Sequence, residues 1–237
     1  MKAAVLIPAA GMGRRMGAAV SKQYLELAGK PILVHTLERF DRHPLVEHIC
    51  LIVPPEDISY CQQQIVEAHA FDKVRRIVAG GKERQDSVRN GLKTLAEDGY
   101  DQAQRPVLIH DGARPLFSTA LLPALLELIR EKGAAIVGVP VKDTIKEVAA
   151  GRITGSPQRT RLWQAQTPQG FQYRLLRESF AQADRENFVA TDDASLLEHF
   201  GGTVHVLEGD YRNIKVTTPE DLVVATALLD SLREESA

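Results

Sequence analysis

The feature that most restricts the fold is a recurrence: short apolar, largely β-branched runs separated by stretches of helical spacing. The runs are AAVLIPA (Ala3–Ala9), HICLIVP (His48–Pro54), VRRIVAG (Val74–Gly80), PVLIHD (Pro106–Asp111) and AAIVGVPV (Ala134–Val141). Their near-continuous apolarity predicts strands buried on both faces, because a strand with one wet face would alternate. Between them, residues Ile32–Phe40, Glu56–Ala70, Gln85–Leu95 and Leu121–Lys132 have helical spacing and length. Strand and helix in alternation predict a mostly parallel, Rossmann-like sheet with right-handed crossovers and helices on both faces, an α/β fold. Ligands of such sheets bind beyond the carboxyl ends of the strands, so the residues just after each run are the functional candidates.

After Val141 the pattern changes. DTIKEVAAGRITGSP holds two short alternating segments about a turn at Ala149–Gly151, which predicts a hairpin protruding as a β-arm over about residues 140–160. Such an arm is long for a lone edge feature and suggests docking onto another subunit. Further on, Asp192–Phe200 reads as a helix and Thr203–Glu208 as a strand. Thr218-Pro219-Glu220-Asp221 opens a last helix, with Thr as N-cap, Pro in the first turn and acids favoured by the helix dipole. With no repeat, low-complexity tract or linker, residues 1–237 read as one domain carrying an inserted arm.

Charge and thiols narrow the function classes. The 29 Lys and Arg nearly cancel 31 Asp and Glu, for a formal charge of −2, so binding of nucleic acid or a membrane surface by bulk charge is not expected. Any anion must be met by a few well-placed cations. Cys50 and Cys61 are too few for a disulfide framework or a four-thiolate zinc site and read as ordinary thiols in a reducing compartment. The first apolar run gives way to glycines and arginines too soon for a signal peptide, and no apolar stretch is long enough to cross a membrane. A cytoplasmic protein is expected.

The most informative stretch is PAAGMGRRMG (Pro8–Gly17), followed by Ser21-Lys22-Gln23. Glycines directly after a buried first strand let backbone N–H groups close on anionic oxygens. A dinucleotide fingerprint would need G-x-G-x-x-G and an acid ending the second strand; Gly11, Gly13 and Gly17 miss the spacing, and no such acid is present. A P-loop, G-x-x-x-x-G-K-[ST], occurs nowhere. What remains is a nucleoside-triphosphate loop carrying its own cations, Arg14, Arg15 and Lys22, or else a set of solvated surface charges.

This loop resembles the signature of sugar-phosphate nucleotidyltransferases, and in its particular form the 2-C-methyl-D-erythritol 4-phosphate cytidylyltransferase family. The resemblance continues in order through GGKERQDSV (Gly80–Val88), HDGARP (His110–Pro115), PVKDTIK (Pro140–Lys146), LWQAQTPQ (Leu162–Gln169), TDDAS (Thr191–Ser195) and NIKVTTPEDL (Asn213–Leu222). It implies a fold of the nucleotide-diphospho-sugar transferase type and transfer of the cytidylyl group of CTP to methylerythritol phosphate, with release of pyrophosphate.

The resemblance also implies roles. CTP would be held by Pro8, Ala9, Ala10, Gly11, Gly13, Arg14, Arg15, Lys22, Gly81, Ser87 and Asp111, with Gly80–Val88 recognising cytosine. Many relatives carry an acid where Lys82 stands. The acceptor would meet Asp111, Arg114, Thr144, Arg159, Thr191 and Lys215, with Thr144 and Arg159 reaching the partner subunit's site in a homodimer. Arg159 is matched rather than Arg161 by its distance from Leu162-Trp163. Arg15, Lys22, Arg159 and Lys215 form the catalytic set: the first two stabilise the transition state, the others position the attacking phosphate. That phosphate is already an anionic nucleophile, so no general base is needed. With no Asp-x-Asp pair in the chain, Mg²⁺ is expected to arrive with CTP rather than on protein ligands. Two alternatives stand beside this reading: ribitol 5-phosphate as acceptor, and a catalytically silent nucleotide sensor.

Overall fold

The computed structural model describes residues 1–11 and 22–235 of the 237-residue chain, with Lys22 described by its backbone alone. Strand β1 (Ala3–Pro8) is followed by a small hairpin, β2 (Glu26–Leu27) and β3 (Lys30–Pro31), and by α1 (Ile32–Asp41). Next come β4 (Val46–Val53), α2 (Ile58–Tyr60) continuing as a π-helix over Cys61–Glu67, β5 (Val74–Ala79) and α3 (Arg84–Glu97). Then follow β6 (Pro106–Ile109), α4 (Leu122–Lys132) and β7 (Ala134–Pro140). The five apolar runs are strands, and each predicted helical stretch between them is helical; the expected burial on both faces fails only for β5, which ends the sheet and has no buried residue, with Arg75 and Arg76 exposed.

Seven strands form one sheet in the order β11-β7-β10-β6-β1-β4-β5, completed by β10 (Trp163–Gln172) and β11 (His205–Glu208). All are parallel except β10, which runs antiparallel between β6 and β7, with Gln169 opposite both Ile109 and Ile136. The apolar patterning does not announce β10, because TQ-rich WQAQTPQGFQ lacks both an apolar run and an alternation. It is central nevertheless, since its buried polar residues Gln166, Thr167 and Gln169 all find hydrogen-bond partners. Helices α5 (Tyr173–Glu186), α6 (Asp193–His199) and α7 (Pro219–Glu234) complete the fold.

The period of two along β1 divides the core. Val5 and Ile7 pack with Leu51 and Val53 against α1 and α4 through Leu37, Phe40 and Ile129. Leu6, with Ile52 and Ile109, packs on the other face against α3, α5 and α6 through Val88, Leu92, Phe180 and Leu197. Each such fully buried side chain is stabilising by about 1.5–3 kcal/mol. Helix α7 covers a third cluster, where Ala225 and Leu229 meet Leu27, Ile32 and Val216. Its start follows the sequence expectation: Thr218 Oγ1 accepts from Asp221 N, while the Asp221 carboxylate accepts from Thr217 N and Thr218 N at 2.8 and 2.9 Å.

The arm is a separate hairpin, β8 (Glu147–Ala149) paired with β9 (Arg152–Gly155). Ala150 (φ 48°) and Gly151 (φ 78°) both turn in the left-handed region, the two-residue connection whose twist suits a hairpin. Val148 and Ile153 face each other across it and are 60% and 66% exposed. Cys50 and Cys61 are buried, and burial pushes their thiols up to about 12 and about 11, so neither is an available thiolate at neutral pH. Among the described residues no helix is long and apolar enough to cross a membrane.

Candidate active site

The chain builds from β1 outward to β4 and β5, then returns to place β6 on the other side of β1. A crevice opens beyond the carboxyl ends of these strands, where the loops diverge. Its volume is about 670 Å³, and its walls are Pro8–Gly11 after β1, Pro54–Glu56 after β4, Gly80–Arg84 after β5 and Asp111–Ala113 after β6, with Ser87 and Lys215.

The two facing loops touch closely. A Cβ added at Gly80 would lie 2.4 Å from Ala10 Cβ, and one at Gly81 would lie 2.2 Å from Asp86 Cβ, so both positions require glycine for space. Ser87 Oγ accepts from Gly81 N at 3.0 Å and donates to Glu83 O at 3.2 Å. The hydroxyl for which the resemblance implies a base contact is thus engaged in holding the loop backbone in place.

Asp111 is the electrostatic centre of the crevice. Its side chain, 10% exposed, places the carboxylate 2.8 Å from Lys215 Nζ and 3.5 Å from both Arg84 Nε and Arg114 Nε. Burial alone would raise its pKa, but the three surrounding cations outweigh that and hold it well below the usual carboxylate range. The residue before it, His110, is wholly buried, and burial brings its pKa down to about 4. A neutral imidazole fits its neighbours: Nε2 lies 3.1 Å from Arg114 O and Nδ1 3.1 Å from Thr167 Oγ1, which in turn accepts from Asp111 N.

Lys215 owes its position to β10. Asn213 Nδ2 donates to Thr167 O at 2.8 Å, Gln166 Nε2 donates to Asp210 O at 2.9 Å, and Val216 N donates to Ala113 O at 2.9 Å. Arg114 closes the ring by donating Nη1 to Asn213 O at 2.7 Å. The polar residues of LWQAQTPQ therefore fix the loop that delivers the lysine.

A second charged pair borders the crevice. Arg84 Nη1 lies 2.7 Å from Asp193 Oδ2, a carboxylate whose side chain is 2% exposed at the start of α6. Burial raises the Asp193 pKa despite that partner. For Arg84, burial opposes the charge, but Asp193 and Asp111 outweigh it and raise the guanidinium pKa. Gln169 locks this end of α6, accepting from Asp193 N and Ala194 N at 3.1 Å and donating to Asp192 Oδ2 at 2.7 Å.

Of the residues singled out from sequence, Pro8, Ala9, Ala10, Gly11, Gly81, Ser87, Asp111 and Lys215 line the crevice together. Arg114 does not reach its wall; it is nearly buried behind Asp111, because its guanidinium bonds Asn213 O. Thr191 is exposed and borders a smaller neighbouring pocket with Arg84 and Asp193. Thr144 and Arg159 are exposed at the base of the arm, where Arg159 Nη1 donates to Lys142 O at 2.9 Å, and neither lines the crevice of its own chain. Gly13, Arg14, Arg15 and the side chain of Lys22 lie outside the described residues. Arg84, Asp193 and Gln169 were not among the expected site residues. They fall inside the quoted motifs, but only the fold brings Gly80–Val88, Leu162–Gln169 and Thr191–Ser195 to one corner.

Among the described residues no three His, Cys, Asp or Glu side chains come together as a metal-binding set. The carboxylate of Asp111 already faces three cations, a poor setting for a divalent ion.

A mostly parallel sheet with a glycine-walled, cation-bearing crevice at its switch point defines an α/β protein of the nucleotidyltransferase type. The family model described as "IspD: 2-C-methyl-D-erythritol 4-phosphate cytidylyltransferase" matches residues 3–231. The chain belongs to this family. The protein of that name from Syntrophotalea carbinolica is 55% identical over 231 residues, spanning 98% of this chain and 97% of the relative. The Geotalea uraniireducens protein of the same name is 52% identical over 235 residues, 99% and 100% of the two chains. Among solved structures, the 4-diphosphocytidyl-2C-methyl-D-erythritol synthase of Anaerococcus prevotii superposes with a TM-score of 0.82 at 32% identity, covering 97% of this chain and 96% of its own.

Proposed function

We propose that this chain transfers the cytidylyl group of CTP to 2-C-methyl-D-erythritol 4-phosphate, giving the 4-diphosphocytidyl alcohol and pyrophosphate. The observation that carries the reading is the crevice itself, in which Lys215 and Arg84 are aimed by Asp111 across from the Pro8–Gly11 backbone, in a chain matching this family over residues 3–231. The anionic oxygen of the acceptor phosphate attacks the α-phosphorus of CTP, the bond to the β-phosphate breaks, and pyrophosphate leaves with the electron pair. No proton need move. The protein's task is to hold two anions in line and to neutralise the charge that develops on the α-phosphate and leaving group. Lys215 supplies one such charge; Arg15 and Lys22 are assigned the same task by the resemblance. The Gly80–Gly81 backbone, held by Ser87, forms the wall for the base, and Asp111 accepts from substrate hydroxyls as its cations turn to the phosphates.

A magnesium ion bound to the triphosphate would add positive charge at the α-phosphate and leaving group, beside that of Lys215. Arg159 and Thr144 serve the site of a second subunit, which the exposed pair Val148 and Ile153 on the arm holds through apolar contact. Charging this pair, Val148→Asp with Ile153→Asp, is expected to shift the chain from dimer to monomer in light scattering and to lower turnover. A dimer that persists unchanged would remove the arm from the interface. Buried, unpaired Cys50 and Cys61 suit a cytoplasmic location, which cell fractionation would contradict by recovering the chain outside that compartment.

The decisive assay is pyrophosphate release with CTP and each acceptor. Turnover is expected with methylerythritol phosphate, with ribitol 5-phosphate much poorer, and is expected to stop when EDTA removes the metal. Equal or better turnover with ribitol 5-phosphate would replace the acceptor. CTP binding without release on either acceptor would make the protein a nucleotide sensor.

A further inference from the structure

A second cavity, of about 360 Å³, lies away from the crevice between α1, the residues just beyond it and the last turns of α7. Its charge is one-sided: Lys30, Arg39, Arg42 and Arg233 line it, with Glu38 the only acid on its wall among the described residues. Glu38 is shared, lying 2.8 Å from Lys30 Nζ and 3.3 Å from Arg42 Nη2, so one carboxylate stands against two of the four cations. Asp230, outside the wall, lies 3.6 Å from Arg233. Arg39 has no carboxylate within ion-pair distance among the described residues; its Nε donates to Pro115 O at 3.1 Å. That bond fixes the guanidinium plane and leaves the two terminal nitrogens for another acceptor. Burial lowers the pKa of Arg39, with neighbouring Arg42 acting in the same direction and Glu38 against it. The two histidines on the wall, His35 and His43, are also held below their usual range by burial, so the net charge comes from the lysine and arginines.

We propose that this α1–α7 pocket is an anion site for a small phosphate-bearing molecule, held by Arg39, Arg42, Lys30 and Arg233. Four flexible or forked donors around a concavity match the several oxygens of a phosphate or diphosphate, and a forked guanidinium takes two of them at once. The cavity is an open concavity whose volume suits a small molecule, whereas a polymer would need an extended positive face that a chain of net charge −2 does not supply. The site is joined to the crevice by two short contacts. Arg39 holds Pro115 O, and one turn earlier on α1 Thr36 Oγ1 donates to Gly112 O at 2.9 Å; both carbonyls belong to the loop that carries Asp111.

Calorimetric titration with sodium pyrophosphate is expected to reveal two sites, since the crevice also receives phosphates. Arg42→Gln combined with Arg233→Gln, both at the exposed mouth, is expected to weaken one site at least tenfold and leave the other. Lys215→Ala is expected to do the reverse. A parallel titration with glycerol 3-phosphate separates the sources of the anion: tighter pyrophosphate binding in the pocket assigns a free diphosphate, tighter glycerol 3-phosphate binding a phosphate ester. The proposal is overturned if the double variant keeps every site seen in the unmodified protein, or if the only site present is the one lost with Lys215.

Discussion

Lys215→Ala is expected to lower turnover by roughly 10²–10³-fold, the usual cost of removing one fixed charge from a transition state of this kind. The side chain is 38% exposed, enters the crevice from a loop locked by Asn213, Val216 and Arg114, and lies 2.8 Å from Asp111. Stability at neutral pH should fall modestly, because Lys215 contributes most to holding Asp111 ionised, while Arg84 and Arg114 remain at 3.5 Å. Lys215→Arg keeps the charge and should recover part of the rate. The paired measurements are pyrophosphate release and the melting temperature. Near-normal turnover in the alanine variant would mean that Lys215 only neutralises Asp111 in the resting protein. The pH dependence adds a check. The folded pKa of Asp111 lies below its ordinary 3.8, so its stabilisation is complete above that value and is lost as pH falls below it. Lys215→Ala weakens that contribution and should raise the onset of acid unfolding.

Arg84→Ala should cost about 3–5 kcal/mol of stability near neutral pH, as when a buried carboxylate loses its partner, besides lowering turnover through the loss of a crevice cation. Asp193 is nearly inaccessible, has Arg84 at 2.7 Å, and feels Asp111 and Asp192 as like charges. Its folded pKa is raised, which reverses the sign found for Asp111. The fold holds that proton more tightly than the unfolded chain does, so this contribution is present in acid and lost as pH rises through the folded pKa. Without Arg84 the pKa climbs further, and the defect should be clearly smaller at about pH 5 than at about pH 8. Adding Asp193→Asn removes the stranded charge and should restore most of the loss in chemical denaturation. A double variant as unstable as the single one would refute the pairing argument.

The parallel strands could be read from sequence because a strand buried on both faces must be apolar throughout, and Ala3–Ile7 with Ile49–Val53 are so. The arm and the start of α7 were readable for an equally local reason: turn and cap chemistry lie within a few residues. Strand β10 was not. Gln166, Thr167 and Gln169 are polar inside the sheet only because Asp210, Asn213, His110 and α6 come to meet them, and those partners are distant in the chain. The site divides the same way. Pro8–Gly11, Gly81, Asp111 and Lys215 follow strands or stand in ordered motifs, whereas the Arg84–Asp193 pair exists only once α3 and α6 are packed together. Arg114 shows the opposite limit: its motif places it beside Asp111, but only burial shows that its guanidinium serves the loop of Lys215.

The position of Asp111 among three cations has a consequence for how the crevice responds to salt. Cations on an open surface carry mobile counterions, and an arriving polyanion gains affinity by releasing them, which makes binding fall steeply as salt rises. Here the counterion is part of the fold: Lys215 and Arg84 already rest against a buried carboxylate. A triphosphate that engages them displaces a tethered anion and frees fewer ions into solution. Its affinity should therefore depend on ionic strength less steeply than the number of cations suggests, and when pyrophosphate departs the carboxylate is at hand to receive the lysine again. Under the proposed function the crevice is an ion exchanger with its own resident anion, and a salt dependence as steep as the count of its cations would refute that.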